Sequence, residues 1–149
     1  MEISATVSIL LSRKDPQIWT INPSATVFEA IALMAEKNVG ALPVVAAERL
    51  VGVVSERDYT RKVILKGKSS KKITVQEIMT RDLVTAHAAD NIVDCMRLMT
   101  EKRVRHLPVM EGEKMVGILS VGDLLKWIIS AQTATIDQLT KYVFGEYSA

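Results

Sequence analysis

The chain carries two copies of a motif in which a serine stands three positions before an aspartate, Ser55–Asp58 and Ser120–Asp123. Each motif follows an apolar run that predicts a strand and opens a run that predicts a helix. A serine with an acid in the first turn is a favourable helix start, so helix capping is one interpretation. The same groups suit a nucleotide, because helix-start N–H groups and a hydroxyl bind phosphate, and a carboxylate accepts hydrogen bonds from a ribose diol. The repetition of the whole arrangement favours ligand binding.

Both motifs lie in a longer internal repeat with a constant offset of 65 residues. The offset relates Pro43 to Pro108 and Gly52 to Gly117, as it relates the two aspartates. A duplicated unit with matched polar residues predicts two copies packed about a pseudo-twofold axis, with equivalent clefts between them.

Each repeat has the pattern strand, helix, strand, strand, helix. Capping residues mark the helix starts, with a capping box at Thr26–Glu29, a second at Thr74–Glu77 between the repeats, and Asn91 as a further cap. The predicted strands and last helix of repeat one are residues 18–21, 42–45, 50–54 and 55–67. Those of repeat two are residues 84–85, 107–110 and 115–119, followed by a helix from Ser120.

Two apolar segments lie outside the duplication and predict flanking helices at residues 4–14 and 135–144. Each is too short to be stable alone, so we expect it to pack on the domain or on a second subunit. The predicted organisation is one module over residues 1–149, with repeat one at 15–67, repeat two at 75–131 and a C-terminal helical extension at 132–149.

Composition narrows the class of protein. The chain has 149 residues, 48% of them hydrophobic, as expected for a soluble protein with one hydrophobic core. Its net charge of +2 is small and argues against nucleic-acid binding. Cys95 is the sole cysteine and predicts a small buried residue; without a disulfide framework or a signal-peptide pattern, we expect a cytoplasmic protein. No metal-ligand spacing and no apolar run long enough to span a membrane is found, so we predict that the protein binds no metal and spans no membrane. The sequence also has no nucleophile-elbow or P-loop motif, so we predict that the protein is not an enzyme.

The sequences around the two prolines and the two aspartates resemble the CBS-domain family, named after cystathionine β-synthase. The resemblance rests on residues 41–44 and 106–109, on 51–58 and 116–123, and on the linker 77–85. It covers residues 15–130 and is nearest to small stand-alone bacterial CBS-pair proteins with Ser-Glu-Arg-Asp in repeat one and Arg-His-Leu-Pro-Val in repeat two.

The resemblance implies an α/β fold of two tandem β-α-β-β-α motifs with pseudo-twofold symmetry, to which the short flanking helices are added. It also implies two clefts that bind an adenine nucleotide such as AMP, ADP, ATP or NAD, each lined by both repeats. The Asp123 cleft would use Ile18, Trp19, Val39, Gly40, Ala41, Arg105, His106, Ser120, Gly122 and Asp123. The Asp58 cleft would use Ser55, Arg57, Asp58, Thr80, Val84, Val104 and Arg105.

The resemblance further implies a regulatory sensor of cellular energy state that signals to a separate partner protein and forms a face-to-face homodimer. The alternative is a structural or dimerisation scaffold with clefts that do not bind. A third interpretation, a nucleic-acid binder that uses the basic stretch 61–72, is opposed by the low net charge. Gly40-Ala41 stands where repeat two has Arg105-His106, so the two clefts are expected to differ in their affinity for phosphate.

Overall fold

The computed structural model describes residues 5–144, so residues 1–4 and 145–149, the ends of the two predicted flanking segments, lie outside it. The described chain alternates helices with short strands, as predicted for an α/β repeat protein. In chain order the elements are α1 (Val7–Ser12), α2 (Val27–Lys37), β1 (Ala41–Ala46), β2 (Arg49–Ser55), α3 (Glu56–Lys62), α4 (Val75–Ile78), β3 (Ala86–His87), α5 (Ile92–Lys102), β4 (His106–Glu111), β5 (Lys114–Ser120) and α6 (Val121–Phe144).

The two long hairpins have the same register. Strands β1 and β2 pair antiparallel with Ala41 opposite Ser55, and β4 and β5 pair with His106 opposite Ser120. Both hairpins carry a register shift at the same repeat position, after Val44 and after Val109. The constant offset in sequence therefore corresponds to the same backbone geometry in both halves.

The first strand of each repeat differs from its prediction: in repeat two it lies two positions later than 84–85, and in repeat one it is shorter than 18–21. Strand β3 pairs parallel with β4 over two residues, whereas the predicted strand at 18–21 is reduced to a single parallel bridge between Ile21 and Val44. Two backbone hydrogen bonds hold that bridge, from Ile21 N to Pro43 O at 3.0 Å and from Val45 N to Ile21 O at 2.9 Å. Asn22 and Pro23 follow at once, and proline provides no N–H to extend the ladder.

The predicted helix caps are confirmed. Thr26 Oγ1 accepts from Glu29 N at 3.1 Å, and the Glu29 carboxylate accepts from Thr26 N at 3.3 Å. Asn91 caps α5 by accepting from Val93 N at 2.7 Å. Since these polar groups satisfy backbone N–H groups that a helix start leaves unpaired, they fix where α2 and α5 begin.

Each hydrophobic core is completed by a segment that precedes the other repeat. Val75 and Ile78 of α4 are buried in the core of repeat one, and Val7 and Leu10 of α1 are buried in the core of repeat two. Matching hydrogen bonds anchor them, from Val75 N to Ala25 O at 2.8 Å and from Val7 N to Asp90 O at 2.9 Å.

This crossing corrects the prediction that residues 4–14 lie outside the duplication. Thr6-Val7 aligns with Thr74-Val75 at an offset of 68 residues, and Arg13 aligns with Arg81. The symmetric unit therefore begins before α1, and the N-terminal segment is the structural counterpart of the linker between the repeats.

Two helix boundaries also differ from the predictions. The predicted helix at 55–67 ends at Lys62, and a 3-10 turn (Ile64–Lys66) follows before Gly67, whose φ is +68°. The last helix of repeat two and the predicted helix at 135–144 are one continuous helix, α6, of 24 residues. No glycine or proline lies between Gly122 and Phe144, so nothing in the local sequence interrupts the helix.

Candidate functional site

Each Ser-x-x-Asp motif lies where a hairpin turns into a helix, and each aspartate caps its own helix. Ser55 N donates to Asp58 Oδ2 at 2.9 Å, and Asp58 N donates to Ser55 Oγ at 3.2 Å. The second motif repeats this pair of bonds, at 2.9 Å from Ser120 N and 3.0 Å from Asp123 N. The capping interpretation therefore describes the local geometry, and any ligand would meet a carboxylate that is already fixed in orientation.

A cavity of about 530 Å³ opens beside Asp58, between the two repeats; it is called the Asp58 cavity below. Its walls come from the β2–α3 junction, from the linker and from the start of β4. The residues predicted for this cleft all lie in its lining: Ser55, Arg57, Asp58, Thr80, Val84, Val104 and Arg105.

Gly40 and His106, which the resemblance implied for the Asp123 cleft, also line the Asp58 cavity. They meet where the two repeats face each other, with the His106 ring 3.7 Å from the position that a Cβ on Gly40 would occupy. Burial, together with the positive charge of Lys14, lowers the pKa of His106 below its usual value. His106 is therefore a neutral imidazole at pH 7.

Basic residues outnumber acidic ones around the Asp58 cavity. The side chains of both signs in its lining are Arg57, Arg61, Lys62, Arg103 and Arg105 against Glu56, Asp58 and Asp82. An excess of positive charge in a cleft raises the local concentration of anions. The rest of the lining includes apolar side chains, among them Val53, Leu83, Val84, Val104 and Pro108.

Arg103 is a lining residue that the sequence analysis missed. It ends α5 in the left-handed conformation, with a φ of 54°, as Asn38 ends α2 with a φ of 55°. The signal was available in the alignment of the repeats, because Arg103 stands 65 residues after Asn38. The helix-end conformation directs the chain from α5 into β4 and places Arg103 and Arg105 on the same cavity.

Lys62 lies on the same helix as Asp58 and forms an ion pair with its carboxylate. Its Nζ lies 3.0 Å from Asp58 Oδ1 and donates to Ile78 O at 2.8 Å. The Lys62 side chain is 45% exposed and is itself part of the cavity lining. The Asp58 side chain is only 14% exposed, so its carboxylate is enclosed and already paired with a lysine.

The Asp123 cleft is arranged differently, because Lys14 reaches into it from the N-terminal segment. Lys14 Nζ lies 2.6 Å from Asp123 Oδ2 and donates to Ile118 O, also at 2.6 Å. Burial opposes ionisation of Asp123, but the hydrogen bonds from Lys14 and Ser120 outweigh burial and lower its pKa. A basic side chain of the protein therefore holds this carboxylate in its ionised form.

Lys14 has a counterpart of opposite charge in the other half. The offset of 68 residues that relates α1 to α4 relates Lys14 to Asp82, and Asp82 lines the open Asp58 cavity. The other residues implied for the Asp123 cleft do not line the Asp58 cavity; they are Ile18, Trp19, Val39, Ala41, Ser120, Gly122 and Asp123. Trp19 lies under Lys37, whose Nζ is 4.1 Å from the ring centroid, and Ala41 is buried.

A smaller cavity of about 240 Å³ adjoins the Asp58 cavity and shares Arg57, Arg103, Val104 and Arg105 with it. Its remaining lining comes from α5 and the start of α6, namely Met96, Met99, Thr100, Val121 and Leu124. The three arginines therefore separate a mixed polar cavity from a mostly apolar one.

Within residues 5–144, no group of three or more His, Cys, Asp and Glu side chains is placed to hold a metal ion. Over the same described range, no helix is both long and apolar enough to span a membrane.

Comparisons with known proteins agree with the geometry of two packed repeats. The solved structure of a putative signal-transduction protein with CBS domains from Burkholderia ambifaria is 45% identical, with a TM-score of 0.83 over 86% of this chain and 96% of that one. The CBS domain pair of protein MJ0100, solved in complex with 5-methylthioadenosine and S-adenosyl-L-methionine, is 25% identical, with a TM-score of 0.76 over 86% of this chain and 98% of that one.

Among curated proteins, the mitochondrial CBS domain-containing protein CBSX3 of Arabidopsis thaliana is 38% identical over 127 residues. The match covers 82% of this chain but 62% of the plant protein, so this chain spans less than two thirds of that relative's length. The family model of the CBS domain matches residues 11–64 and 75–130, one match for each repeat. The chain therefore belongs to the CBS-domain family and is a CBS domain pair.

Proposed function

We propose that this CBS pair is a regulatory module that binds an adenine nucleotide in the Asp58 cavity and signals to a separate partner protein. The observation that carries the proposal is the lining of that cavity, where Ser55 and Asp58 stand at a helix start opposite Arg103 and Arg105. Its volume of about 530 Å³ is within the range usual for small-molecule sites. The similar pair of protein MJ0100, solved with two adenosine compounds, supports the same ligand class.

The lining offers a place for each part of a nucleotide. The Asp58 carboxylate is the acceptor for a ribose diol, since a charged acceptor forms the stronger hydrogen bonds. Val53, Val84 and Pro108 provide an apolar surface for the flat base. The arginines of the lining bind the phosphates, and their number favours ADP, ATP or NAD over AMP.

We propose that each chain binds one ligand, in the Asp58 cavity. In the Asp123 cleft, a ribose would need the carboxylate of Asp123 as its acceptor. Lys14 Nζ already lies 2.6 Å from Oδ2 of that carboxylate and forms an ion pair with it. A nucleotide there would have to displace an ion pair between half-buried side chains, and would leave Ile118 O without its donor. At the Asp58 cavity a ligand would likewise displace Lys62 from Asp58 and Ile78 O, but Lys62 lines the cavity and is the more exposed lysine, 45% against 33% for Lys14, so it can pair with the phosphates of the ligand.

A ligand in the Asp58 cavity would contact three segments of the chain, and this provides a route for signalling. Repeat one supplies the Ser55–Asp58 motif, the linker supplies Thr80 to Val84, and repeat two supplies Arg103 to His106. A ligand that prefers one arrangement of these three segments shifts the population toward it, by no more than the difference in binding free energy between the arrangements. The partner protein responds to that shift.

The experiment that tests the proposal is a thermal-shift panel with AMP, ADP, ATP, NAD, NADH, S-adenosylmethionine and GTP. A ligand at 100 times its Kd adds about 2.7 kcal/mol to the free energy of unfolding. For a chain of this size the unfolding midpoint then rises by roughly 5–10 °C. The adenine ligand that raises the midpoint is taken forward to calorimetry for its stoichiometry.

Calorimetry with the Lys14→Met variant tests the assignment of one site. We expect one ligand per chain in the wild type and a second binding event in the variant, because the substitution frees Asp123. Lys72→Met, which changes an exposed lysine, is the matched control and should keep one site. Two ligands per wild-type chain would contradict the role given to Lys14.

The alternative function is a structural or dimerisation scaffold whose clefts bind nothing. One observation favours it, since both aspartates already act as helix caps and both pair with a lysine. Failure of every nucleotide to raise the midpoint, with no nucleotide released from the denatured protein, would support the scaffold.

A further inference from the structure

Helix α6 runs well beyond the body of the domain. Leu124 is buried in the core of repeat two and Trp127 packs beside it, so the first part of the helix is held by the domain. From Gln132 to Val143 every residue apart from Thr135 is exposed. A helical segment of about this length is marginal on its own in water, so it needs a packing partner.

The exposed part of α6 carries a narrow apolar stripe on a different face from Leu124 and Trp127. At 3.6 residues per turn its members fall within about 80° of arc and extend over roughly 27 Å. A stripe of this width is typical of a coiled-coil seam, whereas a helix that packs on a globular core presents a wider apolar face. The stripe residues, 46–68% exposed, are Leu125, Ile129, Ile136, Leu139 and Val143.

The residue types follow a heptad pattern. Ile129, Ile136 and Val143 recur every seven residues at the first core position, and Leu125 and Leu139 stand at the second. β-Branched residues at the first position with leucine at the second favour a parallel two-stranded coiled coil. Gln132 stands at the second position between the leucines and is the one polar residue among the core positions from Leu125 to Val143.

We infer that α6 pairs with the α6 of a second copy of this chain, in parallel and in register. A second copy fits the seam because the stripe is complementary to itself, with β-branched positions meeting β-branched positions. From Ile129 to Val143 the flanking positions after the first turn are Thr133, Thr135, Thr140 and Tyr142, none of them charged, and Lys126 stands at a flanking position nearer the domain. This contact differs from the face-to-face homodimer that the family resemblance implied.

Site-directed disulfide formation tests the pairing. In a parallel, in-register pair, Ile136→Cys meets its own copy, and mild oxidation gives a covalent dimer. Gln138→Cys, on the same exposed segment but off the seam, is the matched control and should give little. The natural thiol does not compete, because Cys95 is buried and burial, with Asp90 and Asp94, raises its pKa to about 11.

Each outcome decides the inference. Efficient cross-linking of Ile136→Cys but not of Gln138→Cys, with light scattering showing at least a dimer at micromolar concentration, is the expected result. Equal cross-linking of the two variants, or a monomeric wild type, would overturn it. Cross-linking between Leu125→Cys and Val143→Cys chains in a mixture would instead show antiparallel pairing and also refute it. The assay needs no nucleotide, so its result is independent of the proposed ligand site.

Discussion

Asp58→Asn separates the binding role of this side chain from its structural role. Asp58 Oδ2 accepts from Ser55 N at 2.9 Å, and the amide oxygen of asparagine can accept the same hydrogen bond. The start of α3 is therefore kept, while the negative charge that would face the ribose diol is removed. Lys62 keeps its hydrogen bond to Ile78 O at 2.8 Å, so it is not left without an acceptor.

The two effects have different sizes. Hydrogen bonds to a charged group contribute about 1.5–3 kcal/mol, and each 1.4 kcal/mol is a factor of ten, so Kd should rise roughly 10- to 150-fold. The lost ion pair joins residues one helical turn apart, and because the Asp58 side chain is only 14% exposed, we take the upper end of the range for surface pairs, about 1 kcal/mol. The unfolding midpoint should therefore fall by about 2–4 °C.

Calorimetric titration at one fixed salt concentration, with the ligand identified by the panel, measures the change in Kd. Asp123→Asn is the matched control, since the same substitution is made at the equivalent position of the other repeat. We expect its Kd to equal that of the wild type, because Lys14 occupies that carboxylate. Equal losses in the two variants, or a larger loss in Asp123→Asn, would refute the assignment of the ligand to the Asp58 cavity.

Two further predictions concern packing and pH. Gly52→Ala places a Cβ 2.9 Å from the backbone oxygen of Thr80, so it should cost about 1–3 kcal/mol in denaturant unfolding. Gly117→Ala meets only the end of a leucine side chain at 2.7 Å and should cost less; equal losses would contradict this reasoning. The unfolded chain takes up a proton on His106 more readily than the folded one, since burial lowers its folded pKa. The contribution of the neutral, buried His106 to stability is full above pH 6.5 and is lost as the pH falls through the lowered pKa. His106→Gln removes this titration, so the unfolding midpoint of the variant should depend less on pH on the acid side. His87→Gln, at an exposed histidine, is the control, and an unchanged slope in His106→Gln would show that the ring does not titrate as described.

The two halves of this protein have the same backbone geometry but differ in the charges at equivalent positions. At the linker position the chain has Asp82, which lines an open cavity, and at the equivalent N-terminal position it has Lys14, which pairs with Asp123. The two clefts thus differ in the sign of the charge at this repeated position, although both aspartates pair with a lysine, Asp58 with Lys62 and Asp123 with Lys14.

The sequence alone determined the α/β repeat fold, the helix starts and the two Ser-x-x-Asp junctions. These features depend on local chemistry, because a cap such as Thr26 satisfies N–H groups within its own first turn and a strand follows from nearby apolar residues. The constant offset between the repeats then carried each assignment from one half to the other. The residues of the Asp58 cleft were named from the resemblance to the CBS-domain family, before their contacts were known.

Only the tertiary structure decided which segments meet. The crossing of α1 and α4 between the cores joins residues far apart in sequence, and the 68-residue offset that relates these helices was hidden by the 65-residue offset of the main repeat. The Lys14–Asp123 pair spans 109 positions, and no local pattern predicts so distant a contact. The source of the lysine therefore differs between the two aspartates: Lys62 lies on the same helix as Asp58, whereas long-range packing brings Lys14 to Asp123, because a charged side chain pairs with whichever partner the folded backbone places near it.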